Sequence, residues 1–299
     1  MERRGRAVTA RAEPALVLFP GALGDAVCLE PAIAHLAESM AVTLYARGGA
    51  AEVAALYPSA VEVRSLDAVE IARLFAPSDD PRTREWLDGF ARIVSFTGAG
   101  VPVVERRLRA TGGGSVSHFP RPPLPAHAAD LFLRAVGAVP ERTRRVPRLV
   151  APRVRARAGT QPTLALLPGS GGQGKRAPRA LHEALAARWC AAGGHVVVVL
   201  GPAEAGEDDG WRGIGELVRP ESVAELAAVA GGASAFVGKD AGPSHVAAAL
   251  GIPGVVVYVS TRPEDFGPRG PVIAAVTLGD DGAAAAIEAA WSALRERLP

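Results

Sequence analysis

Short aliphatic runs alternate with alanine-rich segments of helical periodicity through most of the chain, and this alternation restricts the fold more than any other sequence feature. The run at residues 15–19 precedes a helical pattern at 26–39, and the run at 163–167 precedes another at 179–192. Alternating strands and helices build a parallel sheet, because each helix carries the chain back to the same edge. The sequence therefore predicts an α/β fold.

The chain of 299 residues is long enough for two domains. Residues 140–162 are rich in proline and arginine, which is typical of a connection between domains. We therefore expect one Rossmann-like domain at residues 1–150 and a second at 151–299, with a cleft between their strand ends where a small molecule would bind. The amphipathic pattern at 283–298 predicts a terminal helix, which could pack back on the first domain.

Charge and cysteine content restrict the class of protein. The formal net charge is only +2, which does not indicate nucleic-acid binding. Cys28 and Cys190 lie far apart in apolar helical contexts, so we interpret both as reduced core residues. Residues 1–13 carry four arginines and precede an apolar run too short for a signal peptide or a membrane span, so we expect a cytoplasmic protein.

The loop after the first predicted strand carries Gly21, Gly24 and Asp25. The spacing Gly21-x-x-Gly24 does not match the dinucleotide fingerprint, and this weakens an oxidoreductase interpretation. Asp25 stands at the start of a helical pattern, where the helix dipole favours a negative charge. Two interpretations stay open at this point, a capping aspartate and a catalytic carboxylate.

A second candidate loop follows an apolar run in the other half of the chain. We expect a strand at 233–237, a turn at 238–243 and a helix immediately afterwards. Ligands bind at the carboxyl edge of open α/β sheets, and a helix amino terminus favours phosphate. The candidate ligand contacts in this loop are Asp240, Gly242 and His245. An ordinary βα turn is the alternative.

Three other stretches are interpreted as irregular. Residues 76–84 and 111–125 are rich in proline, glycine and serine, so we expect mobile loops near the cleft. The arginines between 142 and 157 are interpreted as a solvated connection. Their alternative role is peripheral contact with anionic phospholipid head groups at the inner membrane.

The charged residues give little indication of a metal site. The chain contains no Asp-x-Asp motif, and the adjacent carboxylates lack histidine neighbours, so we interpret them as solvated turns. These pairs are Asp79-Asp80, Asp208-Asp209 and Asp280-Asp281. Lys175 and Lys239 are the only lysines among 33 basic residues, and both fall in predicted loops.

Four glycine-bearing stretches occur in order along the chain. They are Phe19-Pro-Gly-Ala-Leu-Gly-Asp-Ala-Val27, Leu167-Pro-Gly-Ser170 with the downstream Lys175-Arg176, Leu200-Gly-Pro-Ala-Glu204, and Phe236-Val-Gly-x-Asp240-x-Gly242-Pro-x-His245-Val-Ala-Ala-Ala249. Together they resemble glycosyltransferase family 9, the heptosyltransferases. The resemblance implies the GT-B fold, in which two Rossmann-like domains face each other across a cleft.

The resemblance also implies a role for each matching residue. Asp25 matches the general base that deprotonates the acceptor hydroxyl. The donor-binding matches are Ser170 and Lys175 on the diphosphate, Glu204 on the nucleoside, and Asp240, Gly242 and His245 on the sugar and phosphates. The backbone of Gly21 and Gly24 would lie near acceptor and donor.

The reaction implied by the resemblance is an inverting, metal-independent transfer of a heptose or related sugar, with no cofactor. The expected donor is a nucleotide sugar, ADP-heptose by resemblance. The expected acceptor is a hydroxyl of the lipopolysaccharide core, or of a smaller glycan or metabolite. Two alternatives are a nucleotide-sugar epimerase or hydrolase of GT-B shape and a non-catalytic nucleotide-sugar-binding protein.

Three positions depart from the family pattern. Residues 171–174 are glycine-rich, Ala177 stands where the family commonly has tryptophan, and Lys239 stands where a small or polar residue is usual. On the acceptor side, residues 73–84 mix three arginines with Asp79 and Asp80, whereas lipopolysaccharide-acting members carry basic runs. A smaller or neutral acceptor is therefore an open alternative.

Overall fold

The computed structural model describes residues 12–152, 161–169, 177–206, 208–270, 273–278 and 282–296. In these residues the chain forms two sheets of parallel strands flanked by helices. The predicted α/β class is confirmed. Among the described helices, none is long and apolar enough to cross a membrane.

The first sheet has the strand order β3-β2-β1-β4-β5, and neighbouring strands pair in parallel. Its strands are β1 (Glu13–Leu18), β2 (Met40–Ala46), β3 (Val61–Ser65), β4 (Arg92–Ser95) and β5 (Gly114–Val116). The helices of this half are α1 (Leu23–Ala37), α2 (Gly48–Ala54), α3 (Val69–Phe75), α4 (Pro81–Asp88), α5 (Pro102–Arg109) and α6 (Ala128–Ala135).

The second sheet has the order β11-β10-β9-β6-β7-β8, again with parallel pairing. Its strands are β6 (Thr163–Leu167), β7 (His195–Val199), β8 (Glu216–Val218), β9 (Ala235–Lys239), β10 (Gly254–Tyr258) and β11 (Ile273–Thr277). The helices of this half are α7 (Arg179–Ala191), α8 (Asp208–Trp211), α9 (Val223–Gly231), α10 (Gly242–Ala249), α11 (Pro263–Phe266) and α12 (Gly282–Arg295).

The two halves share an apolar core. Successive strand residues point to opposite faces of a sheet, so both faces of β1 are covered. Leu16 and Leu18 pack into one cluster, whereas Val17 and the following Phe19 pack into another. The second cluster continues into the other half through Phe236 of β9 and the buried face of α10. The halves are therefore joined by packed side chains as well as by the chain itself.

The connection between the halves is anchored on both sides. Arg144 donates to both carboxylate oxygens of the buried Glu30 in α1, each at 2.8 Å. The N–H groups of Leu149 and Val150 donate to backbone carbonyls in the second and the first half, at 3.0 and 2.9 Å. The interpretation of this stretch as purely solvated is therefore wrong for Arg144, because Glu30 draws its guanidinium inward.

Two of the predicted loops contain regular structure. Helix α4 begins inside the stretch 76–84, where the Asp80 side chain accepts the N–H of Arg82 at 2.9 Å. Pro81 occupies the first turn, where its missing N–H costs nothing and its fixed φ suits a helix. Within 111–125, Gly114–Val116 adds to β4 as the edge strand β5. Proline and glycine therefore mark element ends here, and the elements themselves are present.

The second candidate loop is shorter than predicted. Strand β9 runs to Lys239, because β6 and β10 still pair with Gly238 and Lys239. Lys239 is therefore not in a loop but at the end of a buried strand, where only 1% of its surface is exposed. Helix α10 begins at Gly242, two residues before the predicted start.

Two further expectations are corrected. The terminal helix α12 packs on its own half, against α7 and β10. Its residues Ala286, Ala290 and Leu294 recur every fourth position and join the cluster that contains Trp189, so its apolar stripe is already covered there. Cys28 is a buried thiol as predicted, but Cys190 is exposed.

Candidate active site

The strand order reverses once in each sheet, between β1 and β4 and between β6 and β9. Crevices beside such reversals are the usual ligand sites of open parallel sheets. Helix α1 follows β1, helix α10 follows β9, and these two helices pack against each other across the two halves. Their contact brings the two predicted loops to one place.

A cavity of about 810 Å³ lies at this junction. The first half contributes Gly24 and Asp25 to its lining, and the second half contributes Asp240, Gly242 and His245. Further lining residues come from the proline-rich loop after β5 and from the segment after β10: Pro120, Pro122, Pro123, Ser260, Arg262 and Phe266. Sequence positions more than two hundred residues apart therefore face the same space.

Asp25 serves as a cap and also faces the cavity. Its Oδ2 accepts the backbone N–H of Ala22 at 2.8 Å, in the first turn of α1. The carboxyl group is half-buried and lines the cavity. The two interpretations that the sequence left open are therefore compatible, and both must be considered when this residue is tested.

His245 is held between the two halves. Its Nδ1 lies 3.7 Å from Sγ of Cys28 in α1, and its Nε2 lies 3.8 Å from Oδ1 of Asp240. Only 4% of the His245 surface and 2% of the Cys28 surface are exposed. Burial raises the pKa of the Cys28 thiol well above its ordinary value, with a smaller contribution from Asp25. The thiol is therefore protonated at neutral pH.

The motif glycines allow close approach between elements. A Cβ on Gly24 would lie 3.0 Å from Cδ2 of His245, and a Cβ on Gly242 would lie 2.7 Å from Cδ2 of Leu23. A Cβ on Gly21 would lie 2.6 Å from ring carbons of Phe19, the residue that follows β1. Close packing therefore explains why these positions need glycine, whether or not a ligand binds there.

A second cavity of about 970 Å³ adjoins the first through Pro120 and belongs to the first half. It lies over the carboxyl ends of β4 and β5 and beside α6. Its lining includes one histidine and two arginines: His118, Arg121 and Arg134. Its apolar wall belongs to a cluster of aromatic rings formed by Phe19, Phe96, Phe119 and Phe132. Sequence analysis did not single out this cluster.

A third cavity of about 610 Å³ lies in the second half and is lined by Glu204, Lys239 and Trp211, among others. Glu204 caps a single helical turn by accepting the N–H of Gly201 at 3.0 Å. The Glu204 side chain is buried and packs against the backbone of Gly169. A Cβ added at Gly169 would lie 2.5 Å from Oε2 of Glu204. The predicted phosphate contacts Ser170 and Lys175 lie outside the described residues.

The segment after β10 clasps the first half beside the main cavity. Arg269 donates to both carboxylate oxygens of Asp130 in α6, at 2.7 and 2.9 Å. His127 donates from Nε2 to the carbonyl of Gly267 at 2.8 Å, and its Nδ1 accepts the N–H of Ala129. Burial lowers the pKa of His127 to about 4, with a further contribution from Arg269. These contacts hold the segment that contributes Phe266 to the cavity lining against the first half.

Sequence analysis missed the residues of this clasp and the contact between Cys28 and His245. The clasp partners lie about 140 positions apart, and nothing in their spacing indicates a contact. Cys28 carried a signal that could have been used, because it follows Asp25 by three positions on the same helix face. Among the described residues, no group of three His, Cys, Asp or Glu side chains could hold a metal ion.

Comparison with solved structures establishes the fold. A family 9 glycosyl transferase from Veillonella parvula has a TM-score of 0.72 at 15% identity, covering 97% of this chain and 100% of that one. E. coli heptosyltransferase WaaC with ADP has a TM-score of 0.69 at 17% identity, covering 95% of this chain and 99% of that one. E. coli ADP-heptose lps heptosyltransferase II has a TM-score of 0.69 at 16% identity, with coverages of 95% and 99%.

Comparison of sequence identifies the family. No curated protein matches the chain significantly. Residues 140–291 match the family model of glycosyltransferase family 9 (heptosyltransferase), which spans half of the chain and includes three of the four quoted stretches. The fold agrees with the GT-B heptosyltransferase structures. The chain therefore belongs to glycosyltransferase family 9 and is a glycosyltransferase.

Proposed function

We propose that this enzyme transfers a heptose or related sugar from a nucleoside diphosphate donor to a hydroxyl acceptor, with inversion and without a metal ion. One observation carries the proposal: Asp25 of the first half and Asp240 and His245 of the second half line the same cavity. A base and a donor loop on opposite walls are what such a displacement requires. The domains at 1–150 and 151–299 would then bind acceptor and donor respectively.

In the proposed reaction the acceptor oxygen attacks the anomeric carbon while the bond from that carbon to the diphosphate oxygen breaks. Asp25 takes the hydroxyl proton, and the nucleoside diphosphate leaves with the bonding electron pair. Positive charge grows on the sugar ring and negative charge on the diphosphate, so hydrogen-bond donors near the leaving group stabilise the transition state. A single displacement inverts the anomeric configuration.

On the donor side, the amino terminus of α10 offers N–H groups and a partial positive charge to the diphosphate. Glu204 would accept from hydroxyls of the nucleoside, and Ser170 and Lys175 would contact the phosphates. ADP is the expected nucleotide, because the E. coli relative with this fold is described with ADP and with ADP-2-deoxy-2-fluoro heptose. Metal independence rests on the lack of an Asp-x-Asp motif in the sequence.

On the acceptor side, the second cavity adjoins the position of Asp25 through Pro120. Its described lining includes Arg121 and Arg134 and no carboxylate. Such a lining favours an acceptor that carries an acidic group, for example a lipopolysaccharide core sugar, over a neutral one. An acceptor of that kind would be met at the cytoplasmic face of the inner membrane.

Calorimetric titration with ADP, GDP, UDP and CDP tests the donor class. We expect ADP to bind most tightly, and tighter binding of another nucleotide would overturn the donor assignment. Incubation of ADP-heptose alone then tests the reaction class. Release of ADP or epimerisation of the sugar without any acceptor would support a hydrolase or epimerase, whereas binding without turnover for every acceptor would support a non-catalytic protein.

A further inference from the structure

Cys28 contacts one of the two ring nitrogens of His245. The cysteine lies in α1, one turn after Asp25, and the histidine lies in α10 of the other half. Sγ of Cys28 is 3.7 Å from Nδ1 of His245. The ring also packs on the bare backbone of Gly24, where a Cβ would lie 3.0 Å from Cδ2 and 3.3 Å from Nε2. The ring therefore has little room to rotate.

The two polar contacts of the ring favour a proton on the same nitrogen, Nε2. A buried thiol that keeps its proton has one S–H to donate, and Nδ1 of the ring lies at hydrogen-bonding distance from its sulfur. On the opposite edge, Nε2 faces Oδ1 of Asp240 at 3.8 Å. A carboxylate only accepts hydrogen bonds, so a proton on Nε2 is favoured there. The other tautomer would turn a lone pair toward Asp240 and leave the S–H without this acceptor.

We propose that Cys28 is a positioning residue that orients the His245 ring, with Nδ1 accepting from the Cys28 thiol and the proton on Nε2 directed toward Asp240 and the cavity. Asp25 and Cys28 occupy one face of α1, so the same helix would supply the base and orient the hydrogen-bond donor of the opposite wall. The consequence for catalysis rests on the proposed function: His245 would donate from Nε2 to a phosphate or sugar oxygen of the nucleotide sugar.

The tautomer can be measured directly and without substrate. Long-range ¹H–¹⁵N spectra of the ¹⁵N-histidine-labelled protein distinguish protonation at Nε2 from protonation at Nδ1, and a His245→Asn variant assigns the signal among the six histidines. We expect the Nε2–H form in the unsubstituted protein at pH 7.5. A dominant Nδ1–H form would overturn the proposal, and this result needs no cysteine variant to fold.

Cysteine variants then test the cause. Cys28→Ala should give a mixture of tautomers, whereas Cys28→Ser should keep the Nε2–H form because its hydroxyl can also donate to Nδ1. The matched control is Cys190→Ala, which removes the exposed cysteine and should change nothing. An unchanged His245 spectrum in Cys28→Ala would overturn the proposal, because another group would then fix the ring.

Binding of ADP separates this inference from the proposed function. We expect Cys28→Ala to lower the affinity for ADP or the value of kcat/KM by about three- to tenfold, the range of a weak hydrogen bond, with recovery in Cys28→Ser. If the tautomer changes and neither affinity nor kcat/KM does, Cys28 remains a positioning residue and the donor-binding role of His245 is wrong.

Discussion

The carboxyl group of Asp25 accepts the N–H of Ala22 at 2.8 Å and also lines the cavity between the halves. Loss of the side chain would therefore affect helix α1 and the chemistry at the same time. An alanine variant cannot separate the two effects. An asparagine variant can, because its carbonyl oxygen still accepts the N–H of Ala22 while its amide cannot act as a base.

At the scale of the residue, Asp25→Asn should lower kcat by about two to four orders of magnitude, the usual contribution of a general base, and leave ADP affinity unchanged. The matched control is Asp80→Asn, because the Asp80 side chain also accepts a backbone N–H in the first turn of a helix, α4, and is not among the residues that line the main cavity. Steady-state kinetics and calorimetry measure both quantities. Full activity of Asp25→Asn would reduce Asp25 to a cap.

At the scale of the element, the site depends on how closely α1 and α10 approach. Gly242 of α10 packs against Leu23 of α1. A Cβ added at Gly242 would lie 2.7 Å from Cδ2 and 2.9 Å from Cγ of Leu23. Both are in the first turns of their helices. A side chain at position 242 would push the two amino-terminal turns apart, and these turns carry Asp25 and the donor loop.

We expect Gly242→Ala to lower the free energy of unfolding by about 1 to 3 kcal/mol through overpacking, and to reduce turnover as well. Gly232→Ala is the control, because its Cβ would lie at an ordinary 3.6 Å from its nearest neighbour. Removal of the obstructing side chain in Gly242→Ala with Leu23→Ala should restore part of the activity. Urea denaturation and kinetics measure the effects, and equal results for Gly242→Ala and Gly232→Ala would contradict the explanation.

Some features of these elements could be predicted from the sequence and others could not. Aliphatic runs such as the one that forms β1 predict buried parallel strands, because both of their faces are apolar. The four motif stretches predict the two candidate loops and the glycines in them. The sequence does not predict that Lys239 ends a buried strand, because that depends on where β6 and β10 stop. It also does not predict the clasp between Arg269 and Asp130, because no local pattern links residues so far apart.

At the scale of the whole molecule, the halves are fastened by the common core and by the clasp beside the cleft. About 10% of the Asp130 side chain and 22% of the Arg269 side chain are exposed to solvent. A charge in that position is costly when it loses its partner, whereas a pair of neutral residues is not. Loss of either partner alone should therefore weaken the contact between the halves.

We expect Arg269→Met to destabilise the protein by about 2 to 4 kcal/mol, because it leaves the Asp130 carboxylate with much weaker compensation. Adding Asp130→Asn to Arg269→Met should recover part of the loss. The control is Arg188→Met, which breaks an exposed pair with Glu288 and should cost less than about 1 kcal/mol. A double-variant cycle by urea denaturation gives the coupling energy, and a coupling near zero would contradict this view of the clasp.

Stability of the whole molecule should also fall in mild acid, because two histidines are folded in the neutral form. Burial lowers the pKa of His182 from 6.5 to about 4, with a contribution from Lys239, and the pKa of His127 is lowered from 6.5 to about 4. The unfolded chain has ordinary histidine pKa values, so it binds more protons than the folded chain below pH 6.5. As the pH falls from 6.5 to 4, each of these histidines therefore lowers the free energy of unfolding by up to about 1.4 kcal/mol per pH unit.

The free energy of unfolding from urea titrations at pH 7.5, 6.5, 5.5 and 4.5 tests this linkage. His182→Phe keeps a ring against Trp211, which His182 contacts edge to face at 5.6 Å, and removes one titrating group. Its stability should therefore depend less steeply on pH, by about 1.4 kcal/mol per unit below pH 6.5. If His182→Phe has the slope of the unsubstituted protein, His182 is not held neutral by burial, and the loss of stability in acid has another origin.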